Sequence, residues 1–189
     1  MSGETTLKIC VVGPSKTGKT LLCRAVAEQP ILQGEYHPTA ALRIQELSKT
    51  LGVDRVKLQF WDCSGSAQYQ SFWPVLAKDL DGVVMVMDPD HPEQEKELEQ
   101  FYLNFAQPNN LTVKQCLIVA LQVVKDGSYG LAGWQGLQGK LSKLNQGYVT
   151  LNPSSPAAGV QEALTFLNSL LQGCLAAKKD SLERSVVDE

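Results

Sequence analysis

Unbroken apolar runs and helical stripes alternate along this chain. Ile9-Cys10-Val11-Val12, Gly82-Val83-Val84-Met85-Val86-Met87 and residues 116–124 are continuous apolar stretches of strand length, as expected for strands covered on both faces of a parallel sheet. Val56-Lys57-Leu58-Gln59-Phe60 alternates instead, and with residues 43–47 before it and a turn over 50–54 it predicts a hairpin. Helical stripes follow the strands: Leu21, Leu22, Ala25 and Val26; then Leu98, Phe101, Tyr102 and Phe105; then Trp134, Leu137, Leu141 and Leu144. The last stripe, Val160, Leu164, Leu167, Leu171 and Cys174, comes after a short strand over 148–151. The third stripe is the least secure in its start, because three glycines within or beside it would each cost a helix about 1 kcal/mol. Pro30, Gly34 and Pro38 mark residues 28–38 as a surface loop, and glycines at 127, 130, 133, 136 and 139 mark a second. The alternation predicts one α/β domain over 1–177, a doubly wound, mostly parallel sheet, followed by a mobile charged tail over 178–189.

The first apolar run leads directly into Gly13-Pro14-Ser15-Lys16-Thr17-Gly18-Lys19-Thr20, which satisfies G-x-x-x-x-G-K-[ST] at every defined position. Gly13 and Gly18 let the backbone wrap closely enough for successive N–H groups to face a polyphosphate. Lys19 supplies a point charge to the outer phosphates, Thr20 a hydroxyl to Mg²⁺, and the helix that begins here aims its positive end at the anion. A chance glycine turn would not sit in this strand–loop–helix setting.

The alternating strand ends in Trp61-Asp62-Cys63-Ser64-Gly65, a D-x-x-G spacing. An aspartate there can hold Mg²⁺ through water, and the glycine N–H can meet a terminal phosphate. Alone the spacing reads as a turn after an edge strand; downstream of a phosphate loop it reads as part of the same site.

Composition narrows the class. The chain has 189 residues, 43% of them hydrophobic, enough for one full core. A net charge of −3 with scattered arginines argues against a nucleic-acid binder. Five cysteines, odd in number and set mostly in apolar runs, read as reduced core thiols of a cytoplasmic protein, and two histidines make a zinc site improbable. Met1-Ser2-Gly3-Glu4 reads as a polar lead without a secretory signal or the second-position glycine of myristoylation, and the last residues offer no cysteine to prenylate. Any membrane association is expected to be indirect, with no direct anchor.

The order of phosphate loop, Tyr36-His37-Pro38-Thr39, hairpin and Trp-Asp-x-x-Gly resembles the Ras superfamily of small GTPases, the Rab branch most closely. The run from Ser71 to Asp88 is similar to the Rab-like GTPase of the intraflagellar transport machinery. The resemblance covers the first half of the chain well and the second half poorly. It implies a six-stranded sheet in the order 2-3-1-4-5-6 with one antiparallel edge strand, and GTP or GDP with Mg²⁺ as cofactors. Gly13, Gly18 and Lys19 would bind phosphate within the loop formed with Pro14, Ser15, Lys16 and Thr17. Thr20 and Thr39 would hold Mg²⁺, and Thr39, Asp62 and Gly65 would sense the γ-phosphate.

Three departures from the family pattern bear on function. At the strand end where the family reads guanine with Asn-Lys-x-Asp, this chain has Val123-Val124-Lys125-Asp126, so only Asp126 could accept from guanine N1 and the 2-amino group, or it could be a turn residue before Gly127. The family's Ser-Ala-Lys loop is absent at Asn152-Pro153-Ser154. Ser66 stands where the family has the glutamine that orients the attacking water, leaving Gln68 as a possible substitute and at most slow GTP hydrolysis to GDP and phosphate.

The reading that joins these is a nucleotide-dependent adaptor of the intraflagellar transport train in cilium or flagellum assembly, placed in the cytoplasm, at the basal body and in the cilium. Its expected partners are coiled-coil subunits of complex B, gripped by a surface of Tyr69, Phe72 and Trp73 next to the γ-phosphate-responsive segment. Alternatives are a constitutive scaffold with structural nucleotide, a Rab-like GTPase of vesicle trafficking, and a phosphotransferase, the last weakened by the scarcity of arginines.

Overall fold

The computed structural model describes residues 5–29, 38–124 and 134–187. Its sheet has six strands, β1 (Thr5–Val12), β2 (Leu42–Leu51), β3 (Asp54–Cys63), β4 (Gly82–Met87), β5 (Cys116–Val123) and β6 (Asn145–Leu151), in the order β2-β3-β1-β4-β5-β6. Only β2 and β3 run antiparallel; every other neighbouring pair is parallel. The predicted order, hairpin and antiparallel edge are all present.

Helices α1 (Lys19–Val26), α2 (Trp73–Leu76), α3 (Glu95–Phe101) and α4 (Ala157–Val187) cover the sheet. Alternation along β1 sorts the core into two layers: Ile9 and Val11 face α1 and α4 with Phe60, Val84 and Leu171, while Cys10 and Val12 face the opposite side with Trp73, Met85 and Phe105. Every residue of β4 is buried, as its unbroken apolar run requires. Leu98, Phe101 and Phe105 all point inward; α3 continues as a π-helical turn over Tyr102–Ala106, which keeps Phe105 on the core side.

The third helical stripe does not form a helix. Trp134 to Gln138 have no regular structure, Gly139 is a bend, and only a 3₁₀ turn, Lys140–Lys143, follows. Gly136 sits at φ +80°, outside the helical region, and the Gly139 N–H donates to Glu95 Oε1 at 2.9 Å, with no room for a Cβ beside that carboxylate. Leu137, Leu141 and Leu144 are nonetheless buried and Trp134 stacks on Tyr148, so the stripe was a core signal of the wrong period.

The break predicted near Lys178 is also absent, because α4 runs unbroken for 31 residues, about 46 Å. Two consecutive lysines tie it down at the amino-terminal edge of the sheet. Lys178 Nζ donates to Asp81 Oδ2 at 2.9 Å and Thr6 O at 2.8 Å, and Lys179 Nζ reaches both oxygens of Asp54 at 2.8 Å. Residues 180–185 are exposed. Among the described residues no helix is long and apolar enough to cross a membrane.

All five cysteines are free and buried. Burial pushes the Cys10, Cys23 and Cys174 thiols well above their ordinary range and Cys116 to about 12. Thiolate is the reactive form, so native protein at pH 8 should release almost no chromophore from a thiol-reactive disulfide reagent. In denaturant five equivalents should react; prompt reaction of any thiol in the native state would mean that one of these core positions opens locally.

Candidate nucleotide-binding site

The phosphate loop leaves β1 at Val12 and enters α1 at Lys19, at the carboxyl edge of the sheet where doubly wound folds bind ligands. Gly13 takes φ +142°, and a Cβ there would lie 2.1 Å from Val86 O, so no other residue lets the chain turn so close to β4. Lys16 adopts φ +67°, a left-handed turn within the loop. Thr17 Oγ1 donates to Pro14 O at 3.1 Å and closes the loop from within.

Lys19 is buried, and its Nζ donates to Gly13 O at 3.0 Å and to Pro14 O at 2.5 Å. An ammonium carries three donors, so one remains for an anion in the loop. Desolvation lowers its pKa to about 8, against the pull of Asp62 toward the charged form. A bound phosphate would restore the charge that burial weakens.

Three segments distant in sequence converge beside this loop. Thr20 Oγ1 donates to Asp62 Oδ2 at 2.6 Å. Thr39 Oγ1 lies 2.9 Å from Thr20 Oγ1 and 3.4 Å from the same carboxylate oxygen. Thr20 has one proton, already given to Asp62, so Thr39 is the donor of the pair. Asp62 is fully buried, and its Oδ1 has no hydrogen-bond partner among the described residues. Burial raises its pKa, opposed by the Thr20 hydroxyl and by Lys19. Two hydroxyls and an under-satisfied carboxylate next to a phosphate loop form an all-oxygen donor set that fits Mg²⁺.

Gly65 packs against the same loop from the β3 side. A Cβ on it would fall 2.4 Å from Gly13 O and 2.6 Å from Ser15 N, so only glycine permits this approach. Gly18 faces the other way: a Cβ there would meet Leu121 and Val123 at the end of β5. The residues named from sequence as phosphate and metal contacts are thus gathered at one place, Gly13 to Thr20 with Thr39, Asp62 and Gly65.

Others are placed differently. Ser66 is half-buried and precedes a 3₁₀ turn, Ala67–Phe72, with its N–H donating to Ser64 Oγ at 3.3 Å. Gln68 is exposed within that turn. Phe72 is 53% exposed and Tyr69 half-buried, but Trp73 is only 7% exposed and packs on Phe101 and Phe105 with ring centroids 4.7 and 5.7 Å away. Trp73 is therefore a core anchor and not part of an exposed aromatic face. Val75, 71% exposed and three residues after Phe72, takes its place; the Phe72-x-x-Val75 spacing would have revealed it. Asp126 lies outside the described residues. Leu121 and Val123, which reading by carboxylate and amide pattern passed over, form the apolar wall beside Gly18.

A family profile described as "Ras of Complex, Roc, domain of DAPkinase" matches residues 8–123, from β1 to the end of β5. Intraflagellar transport protein 22 of Chlamydomonas reinhardtii is 64% identical over 188 residues, covering 98% of this chain and 97% of that protein. The homolog of Homo sapiens is 33% identical over 185 residues, covering 95% of this chain and 97% of that protein. Among solved structures, a chain of the T. brucei IFT22/74/81 GTP-bound crystal structure matches with TM-score 0.74 and 26% identity, over 94% of this chain and 99% of that one. The chain belongs to the intraflagellar transport protein 22 family, built on a Ras-like GTPase domain.

Proposed function

We propose that this chain is a GTP-binding, GTPase-like subunit of the intraflagellar transport train, acting as a nucleotide-dependent adaptor in cilium or flagellum assembly. The observation that carries the reading is the convergence of Thr20, Thr39 and Asp62 on one point beside the phosphate loop. Thr39 lies just before β2 and Asp62 at the end of β3, ahead of the segment that carries Gly65, so a ligand held at that point fixes both segments at once. The family membership supplies the rest, since the relatives are intraflagellar transport proteins and the matched T. brucei structure is GTP-bound. Vesicle trafficking and phosphoryl transfer between metabolites are not favoured by these relatives.

In this reading Mg²⁺ is held by Thr20 and Thr39 directly and by Asp62 through water, and it neutralises charge on the outer phosphates. The backbone from Gly13 to Thr20 and the Lys19 ammonium hold the phosphates, Gly65 offers its N–H to the terminal one, and Asp126 accepts from the guanine edge. Removing the cationic contact should therefore be costly: Lys19→Ala should weaken GTP binding at least tenfold, and Asp62→Asn should weaken Mg²⁺-supported binding while leaving metal-free binding little changed. Titration calorimetry with and without Mg²⁺ measures both. Unchanged GTP affinity in Lys19→Ala would remove the nucleotide from this loop.

Turnover in this reading is slow. Ser66 is too short to orient an attacking water and its N–H is engaged with Ser64, while Gln68 points to solvent. Single-turnover hydrolysis without an activating protein should be on the order of 10⁻⁴ s⁻¹ or below. A rate near 1 s⁻¹ would show that another group positions the water.

Partners are subunits of complex B, and the surface we assign to their coiled coils is Tyr69, Phe72 and Val75, apolar side chains on the segment that follows Gly65. The protein would meet them in the cytoplasm, at the basal body and in the cilium. Phe72→Ala should leave folding intact, because Phe72 is exposed, and should reduce recovery of a complex B coiled-coil pair from GTP-loaded protein severalfold. Equal recovery from GTP- and GDP-loaded protein, unaffected by Phe72→Ala, would favour a constitutive scaffold that docks elsewhere.

A further inference from the structure

Among the described residues, Lys16, Glu28, Ala41, Asp79 and Asn110 adopt a positive φ without being glycine. Four of them have a local reason. Lys16 turns inside the phosphate loop, Glu28 and Asn110 end helical turns, where a left-handed residue is a common terminator, and Asp79 ends the turn after α2 with a short polar side chain that tolerates the conformation. Ala41, at φ +56°, ends no helix and has no polar group to stabilise it. The Leu42 N–H donates to Ala40 O at 2.7 Å, which closes a three-residue turn on Ala41 in its strained, positive-φ hand.

This turn stands between two anchored points. On its carboxyl side β2 pairs with β3 from Leu42, opposite Cys63, and the Ser64 N–H adds one more step by donating to Ala41 O at 2.9 Å. On its amino side, two residues away, Thr39 Oγ1 lies 2.9 Å from Thr20 Oγ1 and 3.4 Å from Asp62 Oδ2, while Pro38 and Ala40 are exposed. Relaxing Ala41 to a negative φ leaves the hairpin paired and swings the chain before it, so Thr39 leaves the Asp62 corner. A backbone in a sparsely populated region persists only while its surroundings compensate it. At Thr39 that compensation is the corner which a terminal phosphate and its metal would complete.

We propose that Ala41 is a positioning residue that tunes the preference of this site for a nucleoside triphosphate over a diphosphate, its strained turn opposing the engagement of Thr39 and releasing it when the terminal phosphate leaves. The proposal rests on the nucleotide reading above and deepens it. A triphosphate that recruits Thr39 has to impose the strained turn, so its affinity is reduced by the fraction of protein already in that arrangement. A diphosphate leaves Thr39 unused and is indifferent to residue 41. Glycine reaches φ +56° without a Cβ clash, and at such a position the strain relieved exceeds the chain freedom that glycine adds. A β-branched residue resists the conformation more strongly than alanine does.

Ala41→Gly, the parent and Ala41→Val therefore form a series of rising strain at one position. Titration calorimetry of the full chain with Mg²⁺ and either GDP or a non-hydrolysable GTP analogue measures the two affinities. Thermal unfolding checks that each variant is folded, and Ala41→Gly, which adds no atoms, decides the matter on its own. Affinity for the GTP analogue should rise about fivefold in Ala41→Gly and fall about tenfold in Ala41→Val, while affinity for GDP stays within about twofold across the series. If both affinities move together, Ala41 has a purely structural role; if neither moves, the turn is not strained against Thr39. Either result overturns the proposal and leaves the nucleotide reading standing. A parent protein that binds neither nucleotide would overturn the proposal and that reading together.

Discussion

The buried carboxylate of Asp62 is the constraint on which the rest of the site depends. Placing a charged group at the end of a central strand with no solvent exposure costs several kcal/mol unless it is paired. Here the pairing is incomplete: one oxygen takes the Thr20 hydroxyl, which Thr39 supports in turn, the other takes nothing among the described residues, and Lys19 contributes only at longer range. The carboxylate pushed up by burial and the ammonium pushed down by it are of opposite sign and share one cleft. In the proposed reading each is compensated by the same event, the arrival of a metal-bound polyanion, and the segments that carry Thr39 and Gly65 share that dependence.

The position of Asp62 follows from the sheet. Its neighbour in register on β1 is Val11, two residues before Gly13, so pairing β3 beside β1 delivers the carboxylate to the loop. The strands and the hairpin were legible from unbroken and alternating runs, and their order, with β3 beside β1, was what the resemblance to small GTPases implied. The residues proposed for phosphate and metal could be named from sequence for another reason: each proposed role rests on chemistry that few residue types can supply. What sequence did not reveal depended on tertiary contact. The stripe Trp134, Leu137, Leu141 and Leu144 has helical spacing, yet Glu95 caps the Gly139 N–H and Gln146 accepts from the Leu137 N–H at 2.7 Å, giving an irregular segment its backbone partners. The end of α4 was misread because Lys178 and Lys179 resemble the start of a solvated tail, and only the fold brings Asp81 and Asp54 beneath them. At the base end Asp126 is the residue of the family pattern that the sequence retains, and it lies outside the described residues.

The two edges of the sheet divide the labour. At the amino-terminal edge, the Lys178–Asp81 and Lys179–Asp54 pairs bind α4 to β1, to the residue before β4 and to the hairpin. The Lys178–Asp81 pair is the better shielded, and Asp81 also accepts the Lys8 N–H, so this edge is cross-linked through one carboxylate. Among the described residues no side-chain ion pair ties α4 to the carboxyl edge, where the Asp62 junction and the Tyr148–Gln122–Asp90 hydrogen bonds link the strand ends. Nucleotide-dependent changes can therefore occur there while the core layers and α4 keep their packing.

Such a change has to reach the surface, and the stretch from Gly65 to Trp73 shows how. It is fixed at both ends by packing that tolerates little substitution: Gly65 against the backbone of the phosphate loop, and Trp73 between Phe101 and Phe105. Between them lies a single 3₁₀ turn with no buried residue. In the proposed reading, a shift of Gly65 on gain or loss of a terminal phosphate would not be absorbed at Trp73, whose ring is held in the core. It must be taken up by the turn, which carries Tyr69 and Phe72 at its surface. Adjacent aromatics thus have opposite duties: Trp73 supplies the fixed point against which a movement at the phosphate loop becomes a rearrangement of the apolar face beside it.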